Sequence, residues 1–388
     1  MPDQPPASIQ RHYGLDWLRI WAFALLILYH LGLYFAPGHW IVKSPQIAQW
    51  TAWPLAAIVP WRLSVLFAVS GFATAAMIQR FPSLPAFLAE RSKRLLIPLL
   101  FGMLVIVPPQ EWVRVEVGGA DPAFASFLGH DAFSFATHGG VFMPGWEHLW
   151  FLPYLWAYTV LLAALVAFVP HWRSRAATLA TWLARGSRLI WLPAAAMAGA
   201  MAVLSRIHIQ GLTDSADYIP AFLIGFAYAH VPALRDAFSR YFALAVGASL
   251  AALGGLWGLI ALDSPSPGIA EQALGLAASS LMSWAMIPVA FHLADRFLNR
   301  DHRWRQPLAT AVFPAYIVHQ TVIVVTGWQL RQAGVVGMPA FLIQLAAVMT
   351  GCLAAWLLAR HVPLVGILLG MPPKRQRGQT AVQRLAPT

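Results

Sequence analysis

Long apolar segments recur along the whole chain, and short polar stretches separate them. A transmembrane helix needs about 20 predominantly apolar residues, and hydropathy along the chain indicates a series of such segments. The ten predicted spans cover residues 15–36, 56–79, 94–109, 149–169, 190–208, 217–231, 241–262, 272–294, 308–330 and 339–360. We therefore expect an all-α integral membrane protein, a bundle of about ten transmembrane helices.

Composition and charge support this fold class and predict how the bundle is oriented. The chain of 388 residues is 59% hydrophobic and only 11% charged, which excludes an ordinary soluble domain. Most of its 26 Lys and Arg residues fall on the same side as the N-terminus, whereas the opposite loops are acidic. Because cytoplasmic loops are enriched in Lys and Arg, both termini are predicted to be cytoplasmic. The net charge of +11 then requires no nucleic-acid partner.

The chain is predicted to form one membrane domain with short polar ends. Residues 1–14 form a cytoplasmic N-terminal segment, residues 15–371 the membrane-bound domain, and residues 372–388 a basic cytoplasmic tail. No internal repeat is visible. The first apolar run has no small-residue cleavage site, so we expect the first helix to remain as an anchor.

The first span carries three ionisable residues, which are expensive inside a bilayer and usually face a protein interior or a site. These are Asp16, Arg19 and His30. The eleven residues from Arg19 to His30 correspond to about three helical turns and about 16 Å, so the two side chains share one face, which Asp16 joins. Two simpler interpretations stay open. Arg19 could extend to the headgroups, and His30 could hydrogen-bond a neighbouring helix.

A second group of cations follows the second span. Arg91 and Arg94 are three residues apart at the start of a helix and so share a face near the inner surface. Guanidinium groups match phosphate oxygens in a bidentate manner. With Arg19 on the same side of the membrane, this spacing suits an anionic cytosolic ligand, although the positive-inside rule alone would also place cations here.

The longest outer segment, residues 110–148, is acidic, aromatic and rich in His. Long loops in compact folds are often functional, and this one ends with Glu147 and His148 at the mouth of the fourth span. Trp146 and Trp150 flank that pair. They either stack on sugar rings or belong to the aromatic belt of the membrane interface, and the belt is the simpler interpretation.

Two further sites in the spans carry polar groups. The Ser70-Gly71 pair is most simply a close-packing site between helices, and a Ser70 nucleophile would have no adjacent base in the sequence. In the ninth span, Pro314 precedes Tyr316 and His319. His319 either bonds to the backbone that Pro314 frees or lines a site.

Taken together, these residues resemble the acyltransferase 3 family of integral membrane O-acyltransferases, and the resemblance covers nearly the full length of the chain. Arg19 and His30 match the family's Arg-x10-His pattern, and Arg91 with Arg94 matches its Arg-x-x-Arg pattern. Further matches are Ser70-Gly71-Phe72 to its SGF turn, residues 148–152 to its HLWFL, and Tyr316 with His319 to its late Tyr-x-x-His. The stretch FPAYIVHQ, residues 313–320, looks most similar to the branch that succinylates periplasmic glucans.

The resemblance implies transfer of an acyl group, succinyl or acetyl, from cytosolic acyl-CoA to a hydroxyl of a periplasmic glycan at a bacterial inner membrane. Acyl-CoA is then a co-substrate, with no permanently bound cofactor and no metal. His30 is the expected general base, because imidazole titrates near neutrality, and Asp16 is expected to orient Arg19. The expected catalytic residues are His30, Asp16, Glu147 and His148; the donor-binding residues are Arg19, Arg91, Arg94 and Ser70; and the acceptor-binding residues are Trp146, Trp150, Tyr316 and His319.

A transporter or flippase of a glycan or lipid-linked sugar is the alternative, since carriers also combine many spans with intramembrane charges. Carriers often consist of duplicated halves, and this sequence shows none. Neither interpretation predicts the oligomeric state.

Overall fold

The computed structural model describes residues 12–120, 123–138, 141–207 and 210–371, and most of it is helical. The first eight helices are α1 (Tyr13–Phe35), α2 (Ala52–Ile58), α3 (Arg62–Ile78), α4 (Leu84–Phe101), α5 (Pro108–Val117), α6 (Phe124–His130), α7 (Phe151–Phe168) and α8 (Trp172–Leu183). The next eight are α9 (Arg188–Leu204), α10 (Gln210–His230), α11 (Pro232–Arg240), α12 (Phe242–Leu262), α13 (Ile269–Leu293), α14 (Arg305–Gln332), α15 (Gly337–His361) and α16 (Pro363–Leu368). A two-residue antiparallel hairpin, β1 (Thr137–His138) with β2 (Val141–Phe142), lies in the outer segment.

The all-α membrane class is confirmed. Among the described residues, seven helices are long and apolar enough to cross a membrane, and nine spans result if each of two bent helix pairs counts as one. The sixth predicted span falls in α10, which is not among them, and the first half of α10 carries Asp214 and Asp217. Ten spans and two cytoplasmic termini therefore stay predictions. The basic tail, 372–388, and residues 1–11 of the N-terminal segment lie outside the described residues.

The third predicted span is longer than expected and bent. After α4, a π-helical turn over Gly102–Ile106 leads into α5, and the helix direction changes by 42° between the two. The outer segment consequently begins as a helix, not as a loop. This bend brings the polar start of α5, with Gln110 and Glu111 fully buried, towards the start of α7 and the middle of α14.

Helices α1 and α14 lie side by side and run in the same direction. Near their first turns Asp16 pairs with Arg305 at 2.7 Å, and fourteen residues further along each helix His30 meets His319 at 3.1 Å. Fourteen residues correspond to about 21 Å of rise. The two helices therefore keep one register from a charged end to a histidine pair deep in the bundle.

Helices α3 and α10 approach each other closely through two glycines. A Cβ atom on Gly71 would overlap the carbonyl oxygen of Phe222, and a Cβ atom on Gly225 would overlap the carbonyl oxygen of Ala68. Small residues allow such backbone approach between membrane helices. The close-packing interpretation of the Ser70-Gly71 pair is thus confirmed for Gly71.

We expect Gly225→Ala to destabilise the protein by about 3 kcal/mol, because the backbone of α3 would have to move to make room. Thermal unfolding of the detergent-solubilised protein measures the effect. Gly247→Ala is the matched control, since nothing lies within 4 Å of the added methyl in α12 and Ala favours helix over Gly. A stability loss of equal size in both variants would contradict the close contact of α3 and α10.

Candidate active site

A cavity of about 270 Å³ lies between α1, α3, α14 and the segment that precedes α7. Its wall includes both apolar and ionisable side chains. The polar and aromatic members that matter for chemistry are His30, Arg62, Glu147, His148, Trp150 and Tyr316. A concave site with a few convergent polar groups is the usual location of a binding or active site.

His30 lies in the wall of this cavity and is anchored through one ring nitrogen. Its Nδ1 is 3.0 Å from the carbonyl oxygen of Leu26 in the previous turn and 3.1 Å from Nε2 of His319. Its Nε2 makes no hydrogen bond to any residue that the structure describes. One nitrogen is therefore held by protein while the other remains available within the cavity wall.

His319 lies behind His30 and is fully buried. Its Nδ1 is 2.7 Å from the carbonyl oxygen of Tyr316. The carbonyl that Pro314 deprives of its helical donor is that of Thr310, so the backbone bond expected in the simpler interpretation is not the one formed. His319 contacts His30 and does not line the cavity, in contrast to its expected acceptor-binding role.

His148 completes a group of three histidine rings. Its ring centre is 5.1 Å from that of His319, and its Nε2 is 3.0 Å from the carbonyl oxygen of Ile317. Tyr316 donates its hydroxyl to the carbonyl oxygen of His148 at 2.6 Å. These bonds fix the segment before α7 against α14, and they leave both side chains in the cavity wall.

The bent start of α5 supports the same group from the other side. Gln110 donates to the hydroxyl of Thr321 at 2.6 Å, accepts from Gln320 at 3.0 Å and lies 3.5 Å from Nδ1 of His148. Thr321 in turn donates to the carbonyl oxygen of Ile106 at 2.7 Å, within the π-helical turn. Buried polar networks of this kind hold side chains in fixed positions when their members are bonded.

The tryptophans and Glu147 differ in how they relate to the cavity. Trp150 lies in its wall, and its ring centre is 5.1 Å from that of Tyr154 and 5.6 Å from that of Tyr218. Trp146 is 47% exposed and is not part of the wall. Glu147 lines the cavity and pairs with Arg114 at 2.7 Å.

The three arginines of the expected donor site form a separate cluster. Arg19, Arg91 and Arg94 repel one another electrostatically in all three pairings. Arg19 donates to the carbonyl oxygen of Ala309 at 3.4 Å, whereas Nε of Arg19 and Nε of Arg91 are buried without a partner among the described residues. The cluster lies about 16 Å from His30 along α1.

Asp16 and Ser70 both lie outside the cavity. Asp16 pairs with Arg305, which is buried and also bonds Asp301 at 2.8 Å. Ser70 lies in α3, and its carbonyl oxygen accepts a hydrogen bond from the hydroxyl of Thr74 at 2.8 Å. Neither residue lines the cavity around His30.

The structure thus brings His30, Glu147, His148, Trp150 and Tyr316 together at one cavity and Arg19, Arg91 and Arg94 together at a distance from it. Sequence reasoning missed Arg62, Gln110 and Arg305. Arg62 carried a signal, because it is an ionisable residue inside the second predicted span, where such residues are rare and usually functional. Gln110 and Arg305 sit at predicted span ends, where polar residues are common.

Comparison with known proteins agrees with this architecture. The family described as an acyltransferase domain, acyltransferase 3, matches residues 12–360. The curated relatives of this chain include proteins named glucans biosynthesis protein C. The one from Salmonella gallinarum (strain 287/91 / NCTC 13346) is 24% identical over 393 residues, covering 96% of this chain and 98% of the relative. The one from Salmonella agona (strain SL483) is 24% identical over 396 residues with the same coverage.

No solved structure gives a significant match to the chain. The family match, by contrast, spans almost every described helix, from the first residue before α1 to the end of α15. This protein is therefore a membrane protein that belongs to the acyltransferase 3 family, and it is an acyltransferase.

Proposed function

We propose that this protein is a membrane O-acyltransferase that moves a succinyl or acetyl group from cytosolic acyl-CoA to a hydroxyl of a periplasmic glycan. The acceptor class rests on its relatives, which are named for glucan biosynthesis. The bacterial inner membrane is the compartment that gives one protein access to both substrates. The observation that carries the proposal is the imidazole of His30 in a cavity wall, with one nitrogen anchored and the other available.

The hydrogen bonds around His319 assign the tautomer of His30. A backbone carbonyl can only accept, so Nδ1 of His319 donates to Tyr316 and Nε2 of a neutral His319 is an acceptor. Nδ1 of His30 then carries the proton, since both of its neighbours, Nε2 of His319 and the carbonyl of Leu26, accept. The lone pair of His30 is left on Nε2, which is the nitrogen that a general base requires.

In the proposed reaction, Nε2 of His30 takes the proton from the acceptor hydroxyl as the hydroxyl oxygen attacks the thioester carbonyl carbon. The carbon–sulfur bond breaks, and the CoA thiolate leaves and receives that proton from the imidazolium. His319 keeps the ring of His30 in the required orientation, so we assign it a positioning role. Trp150 offers an aromatic face to a sugar ring at the same cavity.

The arginine cluster supports a cytosolic donor. The nucleotide of CoA is polyanionic and cannot enter hydrocarbon, whereas its slender arm can. Arg19, Arg91 and Arg94 offer three mutually repelling guanidinium groups that phosphates would neutralise. With the nucleotide held there, the arm has about 16 Å to cover along α1 to reach His30.

Proteoliposomes test this function against the transport alternative. With a neutral glucan trapped inside and radiolabelled succinyl-CoA or acetyl-CoA outside, we expect label to appear on the trapped glucan only when the protein is present. The label crosses the bilayer as an acyl group while the glucan stays inside. Release of unlabelled glucan, with no acyl ester formed, would contradict the proposal and favour a flippase.

A further inference from the structure

Arg62 is a cation in the cavity wall to which the proposed reaction assigns no role. It starts α3, is only 8% exposed, and lines the same cavity as His30. Its guanidinium carbon lies 3.7 Å from the ring centre of Tyr29, whose ring centre is 5.1 Å from that of His30. Because Tyr29 contacts both groups, the guanidinium lies within about 9 Å of the imidazole.

The guanidinium of Arg62 is poorly satisfied by the protein. Of its five N–H donors, one on Nη1 donates to the carbonyl oxygen of Val59 at 2.5 Å, and Nε is buried without a partner among the described residues. Nη2 makes no hydrogen bond to the described residues. No Asp or Glu among those residues forms an ion pair with Arg62. The carboxylate on the same wall, Glu147, pairs with Arg114 instead.

A buried cation without a counter-ion is costly, and the stacking on Tyr29 offsets only part of that cost. Such a residue in a membrane protein usually serves a ligand. Arg presents a planar fork of donors that fits a carboxylate in a bidentate manner. The free donors of Arg62 therefore indicate an anion in the cavity beside the proposed base.

The position of Arg62 narrows the choice of anion. The CoA phosphates are assigned to the cluster of Arg19, Arg91 and Arg94, about 16 Å from His30 along α1. What reaches His30 is the thioester and its acyl group. A four-carbon diacid places its far carboxylate about 4 Å from the thioester carbonyl carbon, given C–C bonds of about 1.5 Å. The far carboxylate adds charge-assisted hydrogen bonds of about 2.8 Å to a guanidinium. A chain of this length can therefore extend from a thioester carbonyl held near His30 to the guanidinium of Arg62.

We propose that Arg62 binds the terminal carboxylate of a dicarboxylic acyl group such as succinyl, and so selects the acyl donor by the charge at the far end of its chain. This inference rests on the proposed function and makes Arg62 its specificity-determining residue. An acetyl group has no charge for Arg62 to bind. A neutral four-carbon acyl group would leave the guanidinium buried and without a counter-ion.

The wild-type protein provides the first test. Transfer to a neutral glucan is compared for succinyl-CoA, acetyl-CoA and butyryl-CoA, the last being a neutral donor with the same number of carbons as succinyl. We expect kcat/KM for succinyl-CoA to exceed that for butyryl-CoA by about 100-fold, the usual discrimination by a buried charged hydrogen bond. Equal use of the two donors would overturn the inference and leave the proposed function intact. Absence of transfer from every donor would overturn the proposed function itself.

Variants assign the preference to Arg62. Arg62→Gln should lower kcat/KM for succinyl-CoA by about 100-fold and change that for acetyl-CoA by less than about 3-fold, while Arg62→Lys should fall between. Arg331→Gln is the matched control, an exposed guanidinium at the end of α14. Parallel losses with both donors would assign Arg62 to the oxyanion instead, and a preference for anionic over neutral acceptors would assign it to the acceptor. Either result would overturn the inference.

Discussion

His30→Ala is expected to lower acyl transfer from labelled acyl-CoA to the glucan by about 1,000-fold, within the range typical of a lost general base. Among the described residues, the substitution removes the only ring that both lines the cavity and hydrogen-bonds His319. Binding of acyl-CoA should change little, because the arginine cluster lies about 16 Å away along α1. Initial rates in reconstituted membranes, with protein amounts matched, give the size of the loss.

Two further histidine variants make that result specific. His319→Gln should reduce kcat by about 10-fold and leave KM for the donor unchanged, since His30 keeps its bond to Leu26 but loses a ring partner. His361→Ala, at the exposed end of α15, should behave like wild type. Transfer at the wild-type rate by His30→Ala would remove this imidazole from the mechanism. A larger loss in His319→Gln than in His30→Ala would exchange the two roles.

The sequence predicts the parts of this site that depend on one helix alone. Asp16, Arg19 and His30 are related by the helical repeat, so their shared face and their spacing along the span follow from position in the chain. The apolar runs likewise predict the membrane class, because a buried backbone in lipid must be helical or form a closed barrel. This reasoning is least reliable for weakly apolar segments: the sixth predicted span, in α10, is not among the spans found in the described residues.

The contacts between helices could not be predicted in this way. His30 and His319 meet because α1 and α14 share a register that is set near their first turns by Asp16 and Arg305. Neither segment alone indicates that its histidine contacts another histidine 289 residues away in the sequence. The position of Gln110 depends on the bend after the π-helical turn, which an apolar pattern does not reveal.

Arg62, by contrast, carries a signal in the sequence itself. It falls seven residues into the second predicted span, where a charge is expensive. Its meaning depends on three-dimensional surroundings: Tyr29 stacked against it, Val59 as its only hydrogen-bond acceptor among the described residues, and a cavity in front of it. Only the combination distinguishes a ligand-binding cation from one that extends to the headgroups.

Arg91→Ala is expected to raise KM for acyl-CoA by about 10- to 100-fold and to leave kcat close to the wild-type value. Arg91 is repelled by both Arg19 and Arg94, and its Nε is buried without a partner among the described residues, so phosphates would satisfy charges that the protein does not. Loss of one charge-assisted bidentate contact accounts for the expected size of the effect. Equilibrium binding of a non-hydrolysable acyl-CoA analogue measures it directly.

The same variant should not lose stability, and this separates a binding role from a structural one. Removing one of three mutually repelling cations relieves repulsion in the unliganded protein, so the unfolding midpoint should stay constant or rise while affinity falls. Lys93→Ala is the matched control, because Lys93 lies between Arg91 and Arg94 in sequence but is exposed. An unaltered affinity in Arg91→Ala, or an equal loss in Lys93→Ala, would show that general positive charge rather than this cluster holds the donor.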